Sequence, residues 1–184
     1  MLTLFNRKRN QSNNYGLMPN DDLKTMAYDV CSTLQGSGEY AAISADFLYE
    51  IAMAETNGGK SWDKTQYAGM GITQIDKIGF TDTIKRTPAK RKAEVLEKFG
   101  VDLDLCEWVE LRHNPRLCLL ITRLFLMLRP GNIPNTIEER AAMWKSQYNS
   151  KAGKGTPKHY LIANGINDES RIVLAEEVYF NKYA

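Results

Sequence analysis

The sequence feature that most constrains the fold of this 184-residue chain is a twelve-residue apolar segment, Leu117 to Leu128. Within it, Arg123 is the one charged residue. A helix needs roughly 20 apolar residues to cross a membrane, so we interpret this shorter segment as a helix buried in a protein core. The segment lies between Asn114-Pro115 and Arg129-Pro130-Gly131, which are typical of the start and the end of a helix.

Helical periodicity predicts further helices on both sides of the apolar segment. Five further helices are predicted: one capped by Asn20 and closed by Gly36, one over 44–57, one that starts at Thr87-Pro88 and ends at Gly100, one capped by Thr136, and one capped by Asp168. Trp62, Tyr67 and Ile72 lie among glycines and threonines over 60–75, which favours a small β-hairpin or an irregular loop. We therefore expect a mainly α fold with six or seven helices and one small β-hairpin.

Composition predicts one domain without metal or cofactor. Residues 1–19 are polar and predict a flexible N-terminal arm, and residues 20–184 form the single domain. The 24 basic and 22 acidic residues nearly balance, which argues against a dedicated nucleic-acid binder. The three cysteines are far apart and form no Cys-x-x-Cys pair, so neither a zinc site nor a disulfide framework is expected. We also expect a monomer with no membrane span.

Glu55 breaks the apolar pattern of the second predicted helix. With Phe47, Leu48 and Ile51 it falls on one helical face, whereas Glu50 falls near the edge of that face. A carboxylate on a core-facing stripe is costly unless it is paired or the site opens to a cleft. Desolvation there would raise its pKa, as a general acid near neutral pH requires. The alternatives are a structural glutamate that meets a cation, and a differently phased helix that exposes Glu55 to solvent.

The segment downstream of Glu55 adds polar groups suited to a sugar ligand. Gly69 and Gly71 allow close approach of a ligand to the backbone, and Gln74 offers both a donor and an acceptor. Asp76 and Asp63 are further carboxylates near the predicted hairpin. Inverting glycosidases need one proton donor and a second carboxylate that activates water. An ordinary turn is the alternative interpretation of each of these residues.

Three blocks in order resemble the soluble lytic transglycosylases and goose-type lysozymes. They are Ala54-Glu55-Thr56-Asn57-Gly58-Gly59, then Gly69-Met70-Gly71-Ile72-Thr73-Gln74-Ile75, and then Ala141 to Trp144 leading to Tyr148-Asn149-Ser150 with a later Tyr160. Asn114-Pro115 matches the start of the family's intervening helix, and the resemblance covers about 44–163. The chain departs from the family pattern at Thr56, where Ser is usual, and at Thr73, where Met is usual.

The resemblance implies a lysozyme-like fold, with the helices arranged around an apolar central helix. It also implies cleavage of the β-1,4 bond between N-acetylmuramic acid and N-acetylglucosamine in the glycan strands of peptidoglycan. Glu55 matches the catalytic acid. Asp76 matches a residue thought to hold the attacking water, and Asp63 matches the other such residue after a gap. The residues that would contact the sugar are Gly71, Thr73, Gln74, Tyr148, Asn149 and Tyr160.

Several functions stay open at this point. A lytic transglycosylase would use the same Glu55 but form a 1,6-anhydromuramic end without a second carboxylate. A non-catalytic wall-binding or virion structural module could retain the fold. The basic cluster over 85–92 could bind nucleic acid, or it could be a solvated helix face. No apolar run typical of an export signal follows the basic residues of the first ten, so we expect holin-dependent release or a virion component to bring the enzyme to the wall.

Overall fold

The computed structural model describes residues 15–61, 68–149 and 153–184, and this part of the chain is mainly helical. Its α-helices are α1 (Leu23–Gln35), α2 (Glu39–Thr56), α3 (Lys77–Arg86), α4 (Ala89–Phe99), α5 (Pro115–Met127), α6 (Ile137–Met143), α7 (Pro157–Ala163) and α8 (Glu169–Lys182). A 3-10 helix spans Trp108–Arg112, and a π-helical turn spans Trp144–Tyr148 directly after α6. The mainly α class is confirmed, although the described residues contain eight α-helices rather than six or seven.

Short polar side chains and glycines set many of the helix ends. The side chains of Asn114, Thr136 and Asp168 accept hydrogen bonds from backbone N–H groups in the first turns of α5, α6 and α8. Gly36 and Gly100 end α1 and α4 with φ values of +83° and +67°. These five residues act at helix ends as the sequence predicted, because capping depends on local geometry.

Other helix boundaries differ from the prediction. Asp22, and not Asn20, caps α1 by accepting a hydrogen bond from the Lys24 N–H group. Thr87 does not start α4 but closes α3, since its backbone N–H group and its hydroxyl both donate to the Thr83 carbonyl. Pro88 is the N-cap residue of α4, without a side-chain cap. The helix α3 itself was not predicted, because it buries only two residues and shows a thin apolar stripe.

The helix α5 is buried over most of its length. Eleven of its 13 residues are buried, and it contacts α1, α2, α3 and the 3-10 helix. Arg123 lies within this apolar stretch, with 2% of its surface exposed. Its Nε and Nη2 atoms both donate to Gln35 Oε1, at 3.2 Å and 2.6 Å, which satisfies part of a buried charge. Across the described ranges, no helix combines the length and the apolarity needed to span a bilayer.

A tight turn takes the place of the second half of the predicted hairpin. The Met70 N–H group donates to the Ile75 carbonyl at 3.0 Å, and the two residues form an isolated antiparallel bridge. No β-strand occurs in the residues that the structure describes, so the predicted hairpin is not confirmed. Trp62 and Tyr67, on which that prediction also depended, lie outside the described residues. The indole of Trp108 anchors the turn by donating to the Ile75 carbonyl at 2.9 Å.

The end of the predicted N-terminal arm packs against the domain. Tyr15 has 3% of its surface exposed, and its hydroxyl donates to the Ser61 carbonyl at 3.2 Å. Gly16 lies so close to the backbone of His113 that a Cβ atom at this position would collide with it. Residues 15 and 16 therefore belong structurally to the domain, whereas residues 1–14 lie outside the described part of the chain.

Candidate active site

Glu55 lies half-buried in the last turn of α2. The indole Nε1 atom of Trp144 donates a hydrogen bond to Glu55 Oε1 at 3.0 Å. Asn57 then ends the helix in the left-handed conformation, with φ at +51°, and its backbone N–H group donates to the Met53 carbonyl at 3.0 Å. The carboxyl group is thus oriented by a buried side chain and lies where the chain leaves the helix.

Trp144 owes its position to the π-helical turn. The Asn149 N–H group donates to the Trp144 carbonyl at 2.8 Å, five residues back, so the turn accommodates one residue more than an α-helical turn. The Trp144 ring packs at 5.3 Å from that of Tyr160. Gly155 leaves room for it, because a Cβ atom at this position would collide with the indole. Trp144 thus contacts both Tyr160 and Glu55, and the π-helical turn that begins at Trp144 leads directly to Tyr148 and Asn149.

Thr56 joins the end of α2 to the turn over 70–75. Its hydroxyl is fully buried and contacts the Ala52 carbonyl at 3.0 Å and the Ile72 carbonyl at 2.7 Å, and it accepts a hydrogen bond from the Gly59 N–H group at 3.0 Å. This is the position at which the chain has Thr instead of the family's Ser. A hydroxyl is what the position requires, because an apolar side chain would leave a buried N–H group unpaired.

The same turn holds several residues that the resemblance assigned to sugar contact. Thr73 is fully buried, and its hydroxyl bonds to Thr122 Oγ1 at 2.7 Å and to Cys118 Sγ at 3.1 Å. Gln74 has a φ of +54°, and its side-chain amide donates to the Gly71 carbonyl at 2.7 Å. The turn is therefore held by its own side chains, and the Thr73 hydroxyl lies inside the protein.

Gly71 is required by both its backbone conformation and its surroundings. Its φ is +74°, and a Cβ atom would lie 2.5 Å from Cys118 Sγ and 2.6 Å from the Leu111 carbonyl oxygen. We expect Gly71→Ala to lower the free energy of unfolding by about 2–4 kcal/mol, from strain and overpacking together. The matched control is Gly100→Ala, which has a φ of +67° but nothing within 4 Å of the added atom. Equal losses in urea denaturation of the two variants would contradict this assignment.

Tyr148 is bonded to the turn over 70–75, and the charge of Glu55 acts on it. Its hydroxyl donates to the Thr73 carbonyl at 2.7 Å, and its ring packs edge-on at 5.5 Å from Phe125. The residue as a whole is half-buried, but its hydroxyl end is enclosed. Burial raises the pKa of Tyr148 well above its usual range, and the nearby charge of Glu55 raises it further. Tyr148 therefore stays protonated and acts as a hydrogen-bond donor close to Glu55.

An open groove of about 600 Å³ runs along the other side of Tyr148. Three of the predicted site residues, Gln74, Asp76 and Tyr148, line it, together with Phe125 and Arg129. Asp76 is exposed, and its Oδ1 atom caps α3 by accepting a hydrogen bond from the Gly79 N–H group. The structure thus brings one predicted carboxylate, one amide and one phenol to a common surface, and Glu55 is not among the residues that line it.

Tyr160 lies in the core and not on the surface of this groove. It is fully buried, and its hydroxyl donates to Glu50 Oε2 at 2.7 Å. Arg140 completes the cluster by donating from Nε and Nη2 to the two oxygens of Glu50, each at 2.7 Å. Burial acts to lower the pKa of Arg140, but the hydrogen bond and the charge of Glu50 outweigh it and raise the pKa. Tyr160 has no exposed surface in the structure, so its position does not support the direct sugar contact that the resemblance implied.

Lys145 and Asn149 hold the loop that follows the π-helical turn. The Lys145 ammonium group donates to the Gly153 carbonyl at 2.7 Å and to Asn149 Oδ1 at 3.3 Å. Burial lowers the pKa of Lys145. Asn149 is half-buried and acts here as part of the loop support. Asp63 lies outside the described residues.

Sequence reasoning missed the partners of Glu55 and Glu50. Trp144 was noted only as a member of a motif, and Arg140 was not noted at all. Both partners lie about 90 positions away along the chain. A possible signal for Arg140 was its position on the helix that follows Thr136, where it is adjacent to the buried Ala141. Within the described ranges, no group of three or more His, Cys, Asp or Glu side chains is placed to hold a metal ion.

Comparisons with known proteins identify no relative of this chain, so a proposed function depends on the residues described above. No family model matches the chain, and neither curated proteins nor solved structures give a match.

Proposed function

We propose that the chain is a peptidoglycan-degrading glycosidase that cleaves the β-1,4 bond between N-acetylmuramic acid and N-acetylglucosamine, with Glu55 as the general acid. The observation that supports this most directly is the half-buried Glu55 carboxyl at the end of α2, held by the Trp144 indole at 3.0 Å. A proton donor in this role must be partly desolvated and fixed relative to the bond that breaks. The lysozyme-like arrangement of helices around α5 belongs to this proposal.

In the proposed reaction, Glu55 donates its proton to the glycosidic oxygen while positive charge develops at the anomeric carbon. The negative end of the α2 dipole lies at the last turn and disfavours a second negative charge there. Trp144 keeps the carboxyl in one orientation by donating a hydrogen bond to its Oε1 atom.

In the hydrolytic version, Asp76 orients water on the opposite face of the sugar, with Asp63 as the second candidate for this role. Asp76 lines the groove together with Gln74 and Tyr148, and Tyr148 is also the residue on which the charge of Glu55 acts. Glu55 is not among the residues that line this groove, so the proposal requires the bound glycan strand to extend past Tyr148 to Glu55. Gln74 offers its side-chain oxygen to hydroxyl or N-acetyl groups of the sugar.

A lytic transglycosylase is the second candidate, favoured by the engagement of Asp76 in capping α3. In this version Glu55 protonates the leaving oxygen, and the 6-hydroxyl of the muramic residue then attacks the anomeric carbon and gives its proton back to Glu55, which leaves a 1,6-anhydro end. No water is consumed, so Asp76 would have only a structural role.

The test is digestion of purified peptidoglycan followed by mass spectrometry of the products. Reducing muramic ends are expected from hydrolysis, and products lighter by one water are expected from the transglycosylase. Absence of any soluble fragment, combined with retention of the protein on the walls, would contradict catalysis. It would indicate instead that the chain is a non-catalytic wall-binding module. Delivery to the wall by holin-dependent release or within a virion is part of the proposal.

A further inference from the structure

The groove that contains Asp76 also contains a guanidinium group that forms no hydrogen bond or ion pair with the described residues. Arg129 follows α5 and is half-buried. Its Cζ atom lies 3.9 Å from the centroid of the Phe125 ring, so the group packs on the aromatic face. Its Nε atom is buried and has no hydrogen-bond partner among these residues. Stacking therefore positions the cation, and no described residue forms a hydrogen bond or ion pair with it.

The acidic residues around Arg129 are engaged elsewhere. Asp82 forms an ion pair with Arg86 at 3.0 Å, and Asp76 caps α3. Burial lowers the pKa of Arg129, while the charge of Asp82 raises it and that of Arg86 lowers it. The two carboxylates thus act on Arg129 only at a distance, and neither neutralises it by contact.

A second polar atom in the same groove also has no hydrogen-bond partner. The side-chain amide of Gln147 donates to the Pro130 carbonyl at 3.3 Å, which holds it next to Arg129. Its Oε1 atom is buried and unpaired within the described part of the chain. Both side chains line the groove, but the Gln147 oxygen can only accept a hydrogen bond, so the cationic Arg129 is the group that can meet an anionic ligand.

The geometry of a stacked arginine defines the chemistry of that ligand. The planar guanidinium presents parallel N–H groups along its edge, and these match the two oxygens of a carboxylate. Partial desolvation strengthens such a charge-assisted pair relative to one in open water. Sugar hydroxyl groups can also accept hydrogen bonds, but they carry no charge, so their bonds to a guanidinium are weaker than the charge-assisted pair.

We propose that Arg129 binds a carboxylate of the substrate, so that the groove selects acidic wall strands over neutral amino-sugar chains. This inference rests on the proposed function. The carboxylate can come from the lactyl group of muramic acid or from the attached peptide, and both present the same planar pair of oxygens. Arg129 is then a specificity-determining residue, separate from the chemistry at Glu55.

The test compares Arg129→Gln with wild type on three tetrasaccharides. One alternates muramic acid and glucosamine units with free lactyl carboxylates, one carries the wall peptide, and one is chitotetraose, which has no carboxylate. We expect KM for the carboxylate-bearing substrates to rise about tenfold at nearly unchanged kcat, and KM for chitotetraose to stay unchanged. The matched control is Arg116→Gln, which removes an exposed arginine from the first turn of α5.

The three substrates separate the possible outcomes. A loss confined to the peptide-bearing substrate assigns the peptide carboxylates as the source, and a loss confined to the free lactyl substrate assigns the lactyl group. A loss on both, but not on chitotetraose, means that Arg129 accepts either carboxylate. An equal loss on all three, or none, overturns the role of Arg129. Calorimetric titration of the same tetrasaccharides needs no turnover and applies the same criterion. If wild type binds the acidic substrates through Arg129 but cleaves nothing, only the proposed function fails.

Discussion

Replacing Glu55 with glutamine is expected to reduce the rate of wall cleavage by about 10²- to 10⁴-fold, the range for a lost general acid. Glutamine keeps the shape of the side chain and can still accept the hydrogen bond from Trp144, so the fold should be retained. It cannot donate a proton to a leaving oxygen at a useful rate. The measurement is release of soluble fragments from purified walls, with the unfolding midpoint checked in parallel.

The control for this variant is Glu39→Gln, the same substitution in the first turn of the same helix. Glu39 is exposed and lies at the opposite end of α2 from Glu55. Its replacement should leave the rate of cleavage unchanged. If Glu55→Gln cleaved walls at the wild-type rate, Glu55 would not be the acid and the proposed function would lose its main support.

Replacing Glu50 with glutamine is expected to lower the free energy of unfolding by about 3–5 kcal/mol, the cost of breaking a buried ion pair on one side. Glu50 and Arg140 each have 6% of their surface exposed, and two hydrogen bonds of 2.7 Å join them. The variant leaves the Arg140 guanidinium buried without its counter-charge. Tyr160 also loses a charged acceptor for its hydroxyl. Urea denaturation measures the loss.

Two further variants test whether the cost arises from the unpaired charge. Replacing Glu50 and Arg140 together with methionine removes both charges, and we expect it to recover part of the stability lost in Glu50→Gln. Glu97→Gln, at an exposed position of α4, should change stability by less than about 0.5 kcal/mol. A loss below about 1 kcal/mol in Glu50→Gln would mean that the pair contributes no more than a surface ion pair.

The difference between Glu50 and Glu55 shows where sequence reasoning about the site succeeds and where it stops. Periodicity placed Glu55 on the apolar side of α2, and the structure finds it half-buried beside Trp144. The same periodicity placed Glu50 only near the edge of the apolar stripe, yet Glu50 is the more buried of the two. The spacing of residues along one helix cannot show which other element covers each side of it.

Local sequence determined the mainly α class and many helix ends, because caps at Asn114, Thr136 and Asp168 act within three residues along the chain. Only the tertiary structure decided which carboxylate meets a cation, which tyrosine reaches the groove and where Arg129 stacks. These outcomes depend on contacts between residues far apart in sequence, such as Glu50 with Arg140 and Tyr160. The free energies of these contacts depend on burial, and the residues become buried only when the helices pack together.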